Sequence, residues 1–396
     1  VRLNCISLSC PVLFYAMNGY QKRLCILGST GSVGTQTLEV VRNYPDHFEV
    51  VCLGANRNTD ALKKQILEFL PKAVSCEYLE DVSNDINFSQ TMMSLQQIAT
   101  HEEIDTVVVA TSGNVALVPT FEAIKNGKDI AIANKETIIM AGEQLTSLAK
   151  SNSVNLMPVD SEPSAIWQCL RGEDKSISKL IITASGGPFR NIPIPSLRDA
   201  SPSDALKHPT WEMGKKISVD SATMMNKAFE VIEAKWLFDV NWDNIEVIVH
   251  PESIVHSMVE FSDGSTKAQL SYPDMRIPIQ HALFFPERAQ TSPVESFNPQ
   301  KTNSLNFEIL DRDRYPCFDM AVNFAKKGGT WPSALTGADE AAVSAFLDYK
   351  IKFTEIHTII EEAIKDHSSI ESPNTYEMLK ASDWGHKQVS DLAGGN

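Results

Sequence analysis

The sequence predicts an α/β protein in three parts: an N-terminal domain on a doubly wound parallel sheet, a central α+β domain and a C-terminal helical bundle. Three observations carry this. A glycine turn, Gly28-Ser29-Thr30-Gly31-Ser32-Val33-Gly34, separates an apolar run from an amphipathic segment, and apolar runs then alternate with helical periodicity to about residue 159. Asp263-Gly264 between two apolar runs is a hairpin signal in the middle of the chain. After Asp311 the periodicity is helical throughout. The 396 residues suffice for two or three such units, each with its own core.

Composition narrows the function. A formal net charge of −15 argues against a nucleic-acid or anionic-membrane surface, so an anionic small molecule would need a local cluster of donors. The seven cysteines are odd in number and contain no Cys-x-x-Cys, which speaks against a disulfide framework or zinc site and for a reducing, cytoplasmic setting. No run reaches transmembrane length. Residues 1–16, VRLNCISLSCPVLFYA, are weakly apolar with one early Arg; a short signal peptide is the alternative, though the charged start is poor and no clear cleavage site follows. They are expected to be a non-core extension, with Met17 as the functional start.

In order, a strand is expected over residues 23–27, then the glycine turn, a helix through Arg42 and a strand over 48–53. This is the opening of a dinucleotide-binding, Rossmann-like unit: the glycines allow close backbone approach and the helix N-terminus faces the pyrophosphate. The spacing is GxxGxxG rather than GxGxxG, so a tight turn without a cofactor is the alternative. The second strand ends in Gly54-Ala55-Asn56-Arg57-Asn58, with no acid before Asp60 for ribose hydroxyls. Arg57 is either a partner for the 2′-phosphate of NADP or a plain surface arginine.

Leu62, Ile66, Phe69 and Leu70 mark the next helix, 106–110 a strand, 117–126 a helix stopped by Gly127, and 129–133 another strand. Asn134-Lys135-Glu136 follow that strand's carboxyl end, where open α/β sheets place ligand groups. A helix to Lys150 and a strand over 155–159 close the domain. Asp160-Ser161-Glu162-Pro163 come next. The two acids are either helix-entrance charges or ligands for a hard divalent cation, with Glu230 as the third.

The central domain opens with a strand over 179–183 and Ser185-Gly186-Gly187-Pro188. The proline-broken stretch to Gly214 holds His208, Trp211 and Met213, as a closing lid or a packed surface loop. Residues 216–220 alternate like a strand and are expected to turn into a helix near Ser221, with Asp220, Ser221 and Thr223 as caps. Met225, Phe229, Ile232 and Trp236 form its apolar face, and Asn226, Lys227, Glu230 and Glu233 lie opposite. Lys227 beside that helix start suits a phosphate, pointing to it rather than neutralising the acids; a solvated face with an i,i+3 ion pair is the alternative. Strands are expected over 245–250, 254–261 and 266–270, with His250 and His256 as packed polar residues. Residues 286–306 read as a linker. Helices follow around Phe318, over 338–349, around Ile356–Ile364 with Thr354 as its cap, and after Pro373.

GSTGSVG, ANKE, VDSEPSAIWQCL, SGGPFR, HPTWEMGKKISVDSATMMNKAFEVIEA and HPESIVHSMVEF, in that order, resemble the 1-deoxy-D-xylulose 5-phosphate reductoisomerase family of the methylerythritol phosphate route to isoprenoids. The resemblance runs from Lys22 to the C-terminus and is most specific over 208–234. It implies domains at 17–150 (NADPH), 151–286 (metal and substrate, with a lid near 186–216) and 312–396 (helical), with 287–311 as linker. It implies Thr30, Gly31, Ser32 and Val33 at the NADPH pyrophosphate, and Asn56, Arg57 and Asn58 at the 2′-phosphate and adenosine. Asn134 and Glu136 would hold the nicotinamide half, and Gly214 would also bind the cofactor. Asp160, Glu162 and Glu230 would bind Mg²⁺ or Mn²⁺. Ser161, Ser185, Ser221, Asn226, Lys227, Glu162 and Glu230 would meet the substrate, Lys135 and His208 would act on it, and His208, Trp211, Met213 and Gly214 would belong to the lid. The implied chemistry is a metal-assisted rearrangement, by retro-aldol cleavage and re-addition, then hydride reduction to 2-C-methyl-D-erythritol 4-phosphate, in a cytoplasmic homodimer. The sequence departs from the family's usual form at GANRN, Gly113-Asn114-Val115, Thr137 and WPSALTGADE. The rivals are an NADP-dependent dehydrogenase of another small phosphorylated substrate and a non-catalytic NADP-sensing protein.

Overall fold

The computed structural model describes residues 21–78, 90–173, 176–211, 213–302 and 304–395. The expected extension at 1–16, with Met17, lies outside the described residues. The first sheet contains β1 (Lys22–Leu27), β2 (Phe48–Ala55), β3 (Ala73–Cys76), β4 (Thr91–Met92), β5 (Thr106–Val109), β6 (Asp129–Ile132) and β7 (Leu156–Pro158), all parallel, in the order β4-β3-β2-β1-β5-β6-β7. Leu24 to Leu27 and Val107 to Val109 are fully buried, because helices cover both faces of the central strands. Such strands read as unbroken apolar runs, which is why they were legible. The order reverses between β1 and β5, and the glycine turn sits there, at the switch point where such sheets bind ligands.

The second sheet has the order β11-β10-β8-β9-β12, from β8 (Ile177–Ala184), β9 (Ile245–Val249), β10 (Val255–Phe261), β11 (Thr266–Leu270) and β12 (Glu308–Ile309). Its pairs are antiparallel except β8 with β9. β12 lies in the stretch read as a linker and adds an edge to β9.

Several expectations are corrected. Residues 216–220 are not a strand. They belong to a helix, Lys215–Thr223, whose N-cap is Gly214; Met224 then takes a left-handed conformation (φ 61°) and a second helix runs over Met225–Phe238. Asp220 and Ser221 cap no helix start, whereas Thr223 Oγ1 accepts from the Met225 N–H, at the start of the second helix, at 3.3 Å. Local alternation misled because Lys216 and Asp220 pair at i,i+4 along the helix, whereas a strand here would have no neighbour. The helix expected over 338–349 begins earlier, at Trp331–Leu347, with Pro332 in its first turn. Gly337 does not break it: a Cβ there would lie 1.8 Å from the Ser382 carbonyl, so glycine lets this helix press against Thr375–Gly394. Thr354 makes no side-chain capping bond. A helix at Arg276–Phe284 was not expected.

The core accounts for how the segment Met225–Phe238 is held. Met225, Phe229 and Ile232 are fully buried in one cluster with Phe318, Ala338, Phe346 and Ile360. The apolar face read from the sequence is therefore the seam between the central domain and the helical bundle. Burying a Phe or Ile contributes about 1.5–3 kcal/mol each, which holds the opposite, polar face in place.

Candidate active site

That polar face is not solvated. Lys227, Glu230 and Glu233 are at most 5 % exposed, so the surface ion-pair alternative fails. Lys227 and Glu230 border a cavity of about 960 Å³. Ser32 and Val33 reach it from the first helix, Lys135 from the end of β6, and Asp160, Ser161 and Glu162 from the end of β7. Ser185 enters from β8; His208, Trp211, Met213 and Gly214 from the proline-rich segment; Ser221, Asn226, Lys227 and Glu230 from the two helices beyond it.

Asp160, Glu162 and Glu230 offer carboxylate oxygens that all lie within 4.8 Å of one another. Lys227 Nζ donates to Glu162 Oε1 at 2.7 Å and Glu230 Oε2 at 2.5 Å. The expectation that Lys227 would leave the acids alone is thus corrected: buried at the i,i+3 position, it has no nearer countercharge. Lys135 Nζ pairs with Asp160 and lies 3.9 Å from Glu230 and 3.8 Å from Glu233. Asn226 Nδ2 donates to Glu230 Oε1 at 2.6 Å.

Four carboxylates here face two ammonium groups, and the shortfall appears in their proton affinities. Burial, and then the Glu162 charge, push the Glu230 carboxyl up to about 8. Burial also raises Glu233. Burial acts to raise Glu162 too, but Lys227 and Ser161 hold it low. A divalent cation would supply the missing charge, and an all-oxygen set is the chemistry of Mg²⁺ or Mn²⁺. The residues therefore fit such an ion.

His208 has a defined tautomer. Its Nδ1 accepts from the backbone N–H of Thr210 and Trp211 at 3.1 and 2.9 Å, which places the ring proton on Nε2, 3.0 Å from Ser185 Oγ. Burial, then Lys227, lower its pKa to about 4, so the ring is neutral at pH 7. His256 is packed, as expected, with Nε2 toward the Ser271 carbonyl at 3.2 Å. His250 accepts from Ile254 N–H at 3.2 Å.

The cofactor-side residues are dispersed. The helix Ser32–Asn43 starts at Gly31 with no side-chain cap and no acid in its first turn, which leaves its N–H groups for an anion. Gly28 has φ +88°, and a Cβ on Gly34 would lie 2.2 Å from the Gly28 carbonyl, so the turn needs both glycines. These features fit a dinucleotide. Thr30 and Gly31 stand beside the cavity without lining it. Asn56, Arg57 and Asn58 are exposed past β2, away from the cavity; Asn58 also caps the next helix through Ala61 N–H. Asn134 is buried, accepts from Thr137 N–H and donates toward the Thr111 and Gly113 carbonyls and Glu136. Its side chain shapes this turn, and neither it nor Glu136 lines the cavity.

Sequence reading missed Pro273, Asp274, Met275 and Arg276, which form the opposite wall. Asp274 holds Arg276 by two bonds, of 2.7 and 3.0 Å, and Arg276 lies 3.5 Å from Glu39 on the cofactor-side helix. The available signal was an Asp two residues ahead of an apolar periodic run, a helix start.

Comparison with known proteins decides the family. Three family models cover most of the chain: 1-deoxy-D-xylulose 5-phosphate reductoisomerase over residues 24–142, its C-terminal domain over 156–238, and the DXP reductoisomerase C-terminal domain over 270–388. The reductoisomerase of Thermoanaerobacter pseudethanolicus is 49% identical over 366 residues, 90% of this chain and 96% of its own length. The chain belongs to the 1-deoxy-D-xylulose 5-phosphate reductoisomerase family. The Shouchella clausii reductoisomerase is 47% identical over 90% of this chain and 96% of its own length. Among solved structures, the Zymomonas mobilis reductoisomerase in complex with NADPH is 35% identical, with a TM-score of 0.88 over 95% of this chain and 100% of its own. A reductoisomerase in complex with NADPH, fosmidomycin and magnesium is 38% identical, with a TM-score of 0.88 over 94% of this chain and 98% of its own. The α/β architecture of this reductoisomerase is thus that of its family. Among the described residues no helix is long and apolar enough to cross a membrane.

Proposed function

We propose that this cavity converts 1-deoxy-D-xylulose 5-phosphate to 2-C-methyl-D-erythritol 4-phosphate, with NADPH and a divalent metal, Mg²⁺ or Mn²⁺. The observation that carries the reading is the convergence on one cavity of three carboxylates, a lysine-and-serine anion set and the uncapped helix start after the glycine turn. The solved relatives with NADPH and magnesium support it. When bound, the metal supplies Lewis-acid polarisation and NADPH a hydride.

Every other contribution comes from the chain. Asp160, Glu162 and Glu230 would hold the metal. Ser161, Ser185, Ser221, Asn226 and Lys227 would hold the substrate's hydroxyls and phosphate, with His208 Nε2–H and Ser185 Oγ as neutral donors. Lys135 Nζ, on Asp160, orients that carboxylate and brings a positive charge to the reacting oxygens. Trp211, Met213 and Gly214 would close over the substrate and exclude water, strengthening these charges. Thr30 to Val33 would take the pyrophosphate, Arg57 with Asn56 and Asn58 the 2′-phosphate side, and Asn134 and Glu136 the nicotinamide side.

Residues 17–150 would act as the NADPH domain, 151–286 as the catalytic domain with its lid near 186–216, 287–311 as linker and 312–396 as a helical brace. The family resemblance supports a homodimer. Five free cysteines among the described residues support a reducing, cytoplasmic location. Metal-dependent oxidation of NADPH on adding 1-deoxy-D-xylulose 5-phosphate tests the function. Turnover without metal, or only with another phosphorylated substrate, favours the dehydrogenase alternative.

A further inference from the structure

A second charged cluster lies behind the cavity wall. Lys216, in the first turn of the helix that begins where the lid segment ends, sends Nζ to Asp220 Oδ2 and Asp339 Oδ2, both at 2.6 Å, and lies 4.0 Å from Glu136 Oε1. Its ammonium also stands 4.9 Å from the centre of the Phe229 ring. The carboxylates come from three places: Asp220 from Lys216's own helix, Asp339 from the bundle helix, and Glu136 from the turn that carries Lys135.

Asp220 and Asp339 are nearly fully buried. Apart from the Lys216 ion pair, Asp220 Oδ1 and both Asp339 oxygens have no hydrogen-bond partner among the described residues. Lys216 is therefore their countercharge. Burial, and then Asp339, push Asp220 up to about 8, in keeping with one cation shared among several acids. Such an arrangement is a poor way to gain stability, since desolvated ion pairs break even against apolar packing. It does fix geometry, because the ammonium can stand 2.6 Å from both aspartates in one position only.

That position matters to the site. On the same helix Ile217 and Ser221 line the cavity, and Met224, Asn226 and Lys227 follow directly. At the other end of the contact, Glu136 is the neighbour of Lys135, which holds Asp160.

We propose that Lys216 is a positioning residue for the reaction: by binding Asp220, Asp339 and Glu136 together, it sets the helix carrying Ser221 against the turn carrying Lys135. It touches neither substrate nor metal ligands. This deepens the reductoisomerase reading and rests on it.

The test separates placement from stability. Lys216→Met alone leaves buried acids without their cation, so its melting temperature should fall; in Lys216→Met/Asp220→Asn/Asp339→Asn the acids go with the cation, and the melting temperature should return to that of the wild type. Substrate affinity should not return: the Kd for 1-deoxy-D-xylulose 5-phosphate, by calorimetry with NADPH and Mg²⁺ present, and the KM should both rise by about tenfold, because small misplacements weaken oriented contacts. Kd for NADPH should rise clearly less than that for substrate, since the pyrophosphate turn lies on other elements and Lys216 meets the cofactor side at Glu136 alone. Recovery of both stability and substrate affinity in the triple variant would make Lys216 purely structural and overturn the proposal. Equal weakening of substrate and NADPH would overturn it too. If the triple variant does not fold, Asp339→Asn, which keeps Lys216, decides: an unchanged substrate Kd and KM sinks the idea, and a rise of about threefold or more at unchanged melting temperature supports it. Wild-type protein is run alongside. If it binds the substrate without turning it over, the reductoisomerase reading fails, while calorimetry on the variants still tests Lys216.

Discussion

On the proposed reading, the glycine turn and the carboxylate cavity solve the same problem, holding an anion-bearing ligand, by opposite means. The turn would use backbone N–H groups within seven consecutive residues, and its demands are on backbone shape: a positive φ at Gly28, which also passes close to the Ala110 carbonyl, and no Cβ at Gly34. The cavity uses side-chain charges from at least five elements, and buried acids there carry raised proton affinities. A backbone site is pre-formed and indifferent to pH. A charged, buried site is costly without its cation, and its occupancy is tied to protons.

The largest expected effect breaks the cavity alone. Glu230→Gln removes one metal oxygen while keeping size, so turnover should fall by orders of magnitude and metal affinity should weaken, with NADPH binding intact. Calorimetric titration of metal and of NADPH checks both halves; normal metal affinity would return Glu230 to the role of a partner for Lys227. The mirror experiment is Gly34→Ala. Its Cβ would meet the Gly28 carbonyl at 2.2 Å, costing roughly 1–3 kcal/mol of stability or the equivalent in turn distortion. NADPH binding should weaken while metal binding stays, and an unaffected NADPH Kd would show that the turn is not the pyrophosphate site.

Arg57→Ala sharpens the cofactor side. Arg57 is exposed and makes no ion pair among the described residues, so it is available to a phosphate. The loss should be about 1.5–3 kcal/mol for NADPH and near zero for NADH; equal loss for both would remove the 2′-phosphate assignment. Trp211→Ala should raise the substrate KM several-fold at constant melting temperature, since Trp211 is only partly buried. A collapse in stability would make it a core residue.

The smallest effect is in pH. Glu230 is raised from 4.5 to about 8 in the folded protein, so without metal the folded state binds a proton that the unfolded chain releases. The stability this contributes is full below about 4.5 and is lost as pH rises through about 8. A metal ion displaces that proton, so metal-induced stabilisation should be greater near pH 8.5 than near pH 6, by roughly a degree or more in melting temperature. Equal shifts at both would mean that Glu230 is already ionised.

The sequence alone determined what is carried by neighbours in the chain. β1, the glycine turn and its helix were legible because burial on both faces and backbone conformation are written in consecutive residues. The buried face of Met225, Phe229 and Ile232 was legible because helical periodicity is local as well. Candidate metal ligands could be named from the resemblance, but only tertiary structure decided that Lys227 lies between Glu162 and Glu230, that Lys216 gathers acids from three elements, and that residues 273–276 complete the wall. The strand misread at 216–220 has the same origin. Alternation there was real, but a strand needs a neighbour to bond with, and the helix won because Lys216 found Asp220 one turn along and Asp339 on another helix. Coulomb interactions and burial depend on distance in space, and sequence spacing records that distance only within a single element.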